Sequence, residues 1–300
     1  GRVDVIDFLC NRGADTKAIF RRGFTAIYVA ARNGHVEAVA KLISHGAKVN
    51  AQDEDGSTPS YVTSQNGHHK VLKVLLANGA DVNLTFLGGY TCLYVACQNG
   101  HYKVVKQLLK CTIDINEKVP NGSSAFYIAC QNGYFEIVKL LVQKDINASL
   151  TANSNGFSSL FIACHKGYYD IAKYLLENSN VDIGYQSAEQ QHVLCKVCKD
   201  GRLDIAKLVI SKGVDVLTLA LQNRKNLFHV AIEENFALNV INWLQETYPQ
   251  LLFQEDAFGV TPLEMASITN RRLHNKLVEV IERDTLKPED GTINVHQITI

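Results

Sequence analysis

Gly89-Tyr-Thr-Cys-Leu-Tyr-Val-Ala-Cys-Gln-Asn-Gly-His101 is the stretch on which the fold turns, because versions of it return along almost the whole chain. Aligned on its second glycine, the copies fall at Gly1, Gly34, Gly67, Gly100 and Gly133, then at Gly167 and Gly201, and then at Asn235 and Asn270. The step is 33 residues at first and 34 or 35 later. A fixed period of this size means a stack in which each unit touches only its neighbours, so the 300 residues count repeats rather than globular domains.

Within one unit the pattern reads as two short antiparallel helices joined by tight turns. Thr25, Thr58 and Thr91 stand where a hydroxyl caps the first helix, and Pro59 fits the first helical position, where its missing N–H is not needed. Leu93, Ala96 and Cys97 share one face of the first helix, and the pairs Val104/Leu108 and Val105/Leu109 do so in the second. The recurring glycine lies between the helices, where positive φ ends the first. Gly46-Ala47 and Gly79-Ala80, followed by Asn or Asp, turn the chain toward the next unit.

Composition narrows the function classes. Lys plus Arg and Asp plus Glu number 30 each, so the formal net charge is zero, and the electrostatic footprint of a nucleic-acid binder is missing. No apolar run approaches the ~20 residues of a membrane span, and no charged-then-apolar leader opens the chain. Four of the eight cysteines, Cys97, Cys130, Cys164 and Cys198, occupy one repeat slot that holds Ala31 and Ser64 in earlier copies. They read as small buried fillers, which points to a reducing compartment, cytoplasmic or nuclear.

The units resemble ankyrin repeats. The family pattern stands here as Gly-x-Thr-Pro-Leu-x-x-Ala-x-x-x-Gly-His, then paired leucines, then Gly-Ala-Asp-Val-Asn, and repeat two carries it most plainly in Gly56-Ser-Thr-Pro59, Asn66-Gly-His68 and Leu75 to Asn83. The resemblance covers roughly residues 1–284: a partial repeat over 1–18 and then eight repeats, with 285–300 outside the period. It implies an all-α solenoid of stacked helix pairs with projecting turn or hairpin fingers, and a concave surface that binds a protein partner. No catalytic residue, cofactor or metal is implied, and a monomer is expected. The alternative is that the module regulates or targets a larger enzyme, channel or ubiquitin-ligase receptor; a start inside a repeat and an apolar end read as a piece of a longer chain.

Departures from the pattern carry the individuality. The family's usual histidine becomes Tyr28, Tyr61, Tyr94, Tyr127 and Phe161, which predicts aromatic packing between neighbouring first helices. Repeat four closes early in Gln143-Lys-Asp-Ile-Asn147, predicting an altered finger, and repeat six puts His192 at the capping position. Asn235 replaces the turn glycine of repeat seven, a charged second helix over about 272–283 reads as a cap, and Ile293, Val295, Ile298 and Ile300 read as a strand.

The sequence holds no phosphate loop, no His-Glu-x-x-His helix and no Gly-x-Ser-x-Gly elbow. Cys195-Lys-Val-Cys198 has the spacing of a redox pair or half a zinc site, but Cys198 sits in the small-residue slot and no second ligand pair follows, which favours packing. His35, His68 and His101 recur in register as packing residues.

Two rows remain as candidate partner contacts. Residues before the helix-turn glycine face the groove in this fold: Arg32/Asn33, Gln65/Asn66, Gln98/Asn99, Gln131/Asn132, His165/Lys166, then Lys199/Asp200 and Glu233/Glu234. This ladder either hydrogen-bonds an extended peptide, with charge fixing direction, or is a solvated sequence inherited by duplication. At the fingers, Phe24, Tyr90 and Phe157, with Leu87, Arg21 and Arg22 nearby, read as exposed anchors, or else as packing on neighbouring fingers. The resemblance also implies that Asn50, Asn83 and Asn116 are candidates for asparaginyl hydroxylation.

Overall fold

The computed structural model describes residues 2–145, 153–179, 181, 183, 192–219 and 221–285. Among these the secondary structure is helical, with seventeen α-helices. The expected strand at Ile293 to Ile300 and the last residues of the shortened repeat four, Ile146 and Asn147, lie outside the described residues.

The chain divides into two compact units, Gly1–Glu189 and Gln190–Ile300. In the first, α1 (Val3–Asn11) is followed by five helix pairs: α2 (Ala26–Arg32) with α3 (Val36–Ser44), α4 (Pro59–Asn66) with α5 (His69–Ala77), α6 (Cys92–Gln98) with α7 (Tyr102–Leu108), α8 (Ala125–Gln131) with α9 (Phe135–Lys144), and α10 (Ser159–Lys166) with α11 (Tyr169–Asn178). The second holds three pairs: α12 (Val193–Lys199) with α13 (Leu203–Ser211), α14 (Leu227–Glu233) with α15 (Leu238–Thr247), and α16 (Pro262–Thr269) with α17 (Arg271–Thr285). Within the first unit the inner helices α2, α4, α6, α8 and α10 pack in succession, and so do the outer helices α1, α3, α5, α7, α9 and α11.

Each inner helix starts where the sequence places a hydroxyl. Thr25, Thr58, Thr91, Ser124 and Ser158 accept a hydrogen bond from the backbone N–H three residues on, at 3.0 to 3.4 Å, relieving one of the orphan donors of the first turn. His192 does the same work with a ring: its Nδ1 accepts from the N–H of Leu194 at 3.1 Å. Asn226 caps α14 and accepts from Phe228 and His229. Asn235 adopts φ 51° at the turn, as its ability to mimic glycine in the left-handed region predicts.

The helix-turn glycine meets two requirements at once. Gly34, Gly67, Gly100 and Gly133 have φ between 74° and 79°, and each also lies under a ring from the next repeat. A Cβ on Gly100 would stand 2.5 Å from the ring of Tyr134, and one on Gly133 2.7 Å from Tyr168; His68 and His101 fill the same place over Gly34 and Gly67. The histidine rings reach further, with His68 Nε2 3.0 Å from the Arg32 carbonyl and His101 Nε2 2.9 Å from that of Gln65. The histidine register read from the sequence is thus an inter-repeat joint, and tyrosine replaces it in repeats four and five.

The core is a stack of aliphatic layers, with Val39, Leu72, Val105, Val138 and Ala172 from successive outer helices all fully buried. Repeat two is its polar exception. Ser60, Thr63 and Ser64 are fully buried on α4 and their hydroxyls have no hydrogen-bond partner. Ser60 stands where Ile27, Leu93 and Phe126 sit in adjoining copies, so this layer is deficient in apolar volume and carries desolvated hydroxyls.

Two stability outcomes follow from this packing. Ser64→Ala, which places the residue of Ala31 in a slot where the hydroxyl is unpaired, raises stability by about 1 kcal/mol in urea unfolding. Gly100→Ala lowers it by about 1–3 kcal/mol, because positive φ and the Tyr134 ring are both violated. A Gly100→Ala chain with an unchanged urea midpoint would disprove the joint.

Candidate partner-binding surface

The groove row separates into two kinds of amide. Asn66 Nδ2 donates to the Arg32 carbonyl at 2.9 Å, Asn99 Nδ2 to Gln65 at 3.2 Å, and Asn132 Nδ2 to Gln98 at 2.9 Å. Each asparagine therefore closes the C-terminal end of the preceding inner helix, satisfying a carbonyl that has no partner inside its own helix. Asn33 turns back instead to its own helix, donating to Val29 at 2.8 Å. The glutamines beside them do no such work. Gln65 and Gln98 are exposed, Gln131 is half-buried, and none of the three side chains makes a hydrogen bond among the described residues. In repeat five the two positions become half-buried His165 and exposed Lys166.

In the second unit the corresponding charges pair with one another. Lys199 Nζ lies 2.9 Å from Glu234 of the following repeat, Lys196 lies 3.1 Å from Asp200, and Lys225 is paired with Glu233. These pairs are partly exposed, which limits each to a modest contribution, but they occupy Lys199, Asp200, Glu233 and Glu234, the charged part of the row.

The fingers differ from the expectation. Phe24, Tyr90 and Phe157 are half-buried rather than exposed, and each ring lies on the aromatic four residues ahead in its own repeat: Phe24 on Tyr28 at 4.8 Å, Tyr90 edge-on to Tyr94 at 5.5 Å, and Phe157 on Phe161 at 4.8 Å. Several first-helix tyrosines, in turn, reach the next finger. Tyr61 stacks on Phe86 at 4.8 Å, the Tyr28 hydroxyl is 3.4 Å from Ser57 Oγ, and Asn153 Nδ2 donates to the Tyr127 hydroxyl at 3.1 Å. A ring at this slot, phenol or imidazole, extends past the helix it stands on to the loop that follows. His229, which keeps the family residue, makes the equivalent bridge, with Nε2 2.9 Å from the Val260 carbonyl. Burial holds the phenols of Tyr28, Tyr61, Tyr94 and Tyr127 above the ordinary tyrosine range, so they remain neutral.

Sequence reasoning missed the residues that receive these tyrosines. One finger slot, five residues before each cap, carries Phe20, Asp53, Phe86, Val119 and Asn153. Phe86 and Asn153 contact the preceding tyrosine there, while Asp53 and Asn153 also hold their own turns by accepting two backbone N–H bonds each. The aromatic or Asx residue at four of these five positions was the available signal. Finger tips are tied in series: Glu54 N–H donates to Arg22 at 3.2 Å, Leu87 N–H to Asp55 at 3.0 Å, and Ser154 N–H to Asn121 at 3.3 Å. Between the third and fourth fingers the corresponding position is Pro120, which has no N–H to donate and whose ring lies against Gly89. Exposed at these tips stand Arg21, Arg22 and Leu87, the last 55 % exposed with φ 46°.

Asn50, Asn83 and Asn116 also serve joints. Asn50 donates to the Gly79 carbonyl at 3.1 Å and accepts from the Asp81 N–H at 2.9 Å, Asn83 donates to Thr112 at 3.2 Å, and Asn116 to the Asp145 carboxylate at 2.9 Å. Cys97, Cys130, Cys164 and Cys198 are fully buried in the inner-helix layer. Desolvation raises the thiols of Cys97, Cys130 and Cys198 well above the ordinary range, and lifts Cys92 and half-buried Cys195 to about 12. Thiols so placed are not nucleophiles. Among the described residues no group of three or more His, Cys, Asp or Glu could hold a metal ion, and no helix is long and apolar enough to cross a membrane.

Stacked helix pairs, joined by turn glycines and edged by tied fingers, define a helical-repeat protein. The family profile described as Ankyrin repeats (3 copies) matches residues 1–53, 50–119 and 93–187, and the chain belongs to that family. A comparison with curated proteins finds no match. Ankyrin repeats generally mediate protein–protein interaction, and the fold is typically non-catalytic.

The buried thiols are open to a direct check. With an aromatic disulfide reagent near pH 8, Cys97, Cys130, Cys164 and Cys198 of the folded chain stay unmodified while partly exposed Cys10 reacts, and all eight cysteines react in denaturant. Labelling of Cys97 as fast as Cys10, located by peptide mapping, would contradict the packing described.

Proposed function

We propose that this chain is a non-catalytic interaction module that binds an extended protein segment along the groove of repeats one to five, with the finger tips beside it. The observation that supports this most is the division of labour in the groove row. Asn66, Asn99 and Asn132 are occupied in joining repeats, whereas the adjacent amides of Gln65, Gln98 and Gln131 stand free at the same spacing. A side-chain amide presents both a donor and an acceptor, which matches the alternating C=O and N–H of an extended backbone. Arg32 at one end and His165 with Lys166 at the other favour a segment with acidic ends. Leu87, Arg21 and Arg22 supply tip contacts, and Phe24, Tyr90 and Phe157 support the tips from beneath.

Selection of twelve-residue peptides from a display library on the wild-type chain tests the reading. Enriched peptides bind the Gln65→Ala/Gln98→Ala/Gln131→Ala chain at least ~10-fold more weakly in a fluorescence titration, with unchanged far-ultraviolet circular dichroism. Tyr90→Ala/Phe157→Ala weakens them by ~2 kcal/mol or more and also loosens the fingers. Peptides that bind the triple-alanine chain with wild-type affinity would sink the groove reading.

A further inference from the structure

The outer helices carry a charge pattern that the groove does not use. Lys73, Lys106, Lys139 and Lys173 occupy one slot on α5, α7, α9 and α11. Three residues earlier, the slot holds Glu37 on α3, Glu136 on α9 and Asp170 on α11, but Lys70 on α5 and Lys103 on α7. The usual acid-base pair is intact at α9, where Glu136 lies 2.8 Å from Lys139. It is inverted in repeats two and three: α5 (HKVLKVLLA) and α7 (YKVVKQL) contain no acidic residue at all. Lys70, Lys73, Lys103 and Lys106 are all exposed, and none forms an ion pair among the described residues. Lys110 extends the patch at the end of α7.

Because α5 and α7 are packed neighbours, these four lysines form one array. Residues three apart on a helix are separated by ~5–6 Å and packed helices by ~8–10 Å, so four ammonium groups face solvent within a field about 10 Å across. Like charges at that spacing repel one another, water and salt screen part of that repulsion, and a bound anionic group relieves it further. In a chain of zero net charge, the pattern is a local departure and not a general basicity.

We propose that the outer face of α5 and α7 is a second docking surface, and that it takes a short segment of a protein rich in Asp and Glu. The length of the occupant follows from the flanks. Glu37 on one side and Glu136 on the other end the positive field after two repeats, so a long polyanion such as a nucleic acid would run onto carboxylates at both ends. A membrane surface is disfavoured because the patch lacks the apolar face an interfacial helix buries; of its large apolar side chains only Tyr102, 37 % exposed, rises beside the lysines. This surface is independent of the proposed groove.

The test uses a fluorescein-labelled octaglutamate peptide and anisotropy at about 50 mM salt, where screening is modest. Wild type binds it saturably. Lys70→Glu/Lys103→Glu, which installs the acid that Glu37 and Glu136 show the slot accepts, weakens binding at least ~10-fold, and Lys70→Ala/Lys103→Ala weakens it in the same direction. Lys173→Gln changes it less than ~2-fold, because Asp170 already offsets that position. The Gln65, Gln98 and Gln131 alanine chain binds the peptide as wild type does, so failure here is distinguishable from failure of the groove. No saturable binding by wild type, equal binding by the reversed chain with its melting curve preserved, or capture of phosphatidylserine vesicles in place of the peptide would each overturn the proposal.

Discussion

The close approach at the helix turn is the constraint from which the rest of this structure follows. A glycine at positive φ ends the inner helix and leaves room for a ring from the next repeat, while an asparagine beside the glycine donates to the carbonyl of the preceding inner helix. A single helix pair can bury only one side of itself, so its stability comes from such neighbour contacts. Steric fit at Gly100 and Gly133 and hydrogen bonding at Asn99 and Asn132 serve one joint by different physics: the first fixes distance, the second fixes register.

The same economy governs the fingers. A finger is a turn with at most one bridge, such as Phe86 with Tyr90, closed by a few local hydrogen bonds and without a strand pair of its own. It is also held from outside, by the tyrosine of the preceding inner helix, by the N–H of the next tip, and by its own aromatic folded onto the helix it precedes. Replacing histidine by tyrosine lengthens that reach, which lets Tyr61 stack on a phenylalanine and Tyr127 receive a hydrogen bond from an asparagine. Finger side chains that look like anchors in sequence, Tyr90 and Phe157 among them, are thereby partly spent on support, and the freely exposed groups are Leu87, Arg21 and Arg22.

The two proposed surfaces rest on side chains that the stack does not consume. Beside the turn glycine these are the glutamines and not the asparagines; on the outer helices they are the lysines of repeats two and three and not Lys139 of α9, where an acid is at hand. The lysine patch arises by a small departure, Lys70 and Lys103 standing where other copies carry Glu37, Glu136 or Asp170.

Much of the fold was legible in the chain itself. The period, the capping hydroxyls, Pro59, the left-handed turn residues and the apolar slots are local or periodic properties, set by steric preference and by the need of each helix to bury one face. The cysteine column was readable for the same reason, since a small-residue slot between stacked helices is buried wherever it recurs. Sequence could not divide Gln98 from Asn99, or tell that Tyr90 lies on Tyr94 while Tyr61 reaches Phe86, or see that Ser60, Thr63 and Ser64 are stranded without partners. Those distinctions depend on which atoms of adjacent repeats meet, and residues some 30 positions apart are brought together only when the units stack.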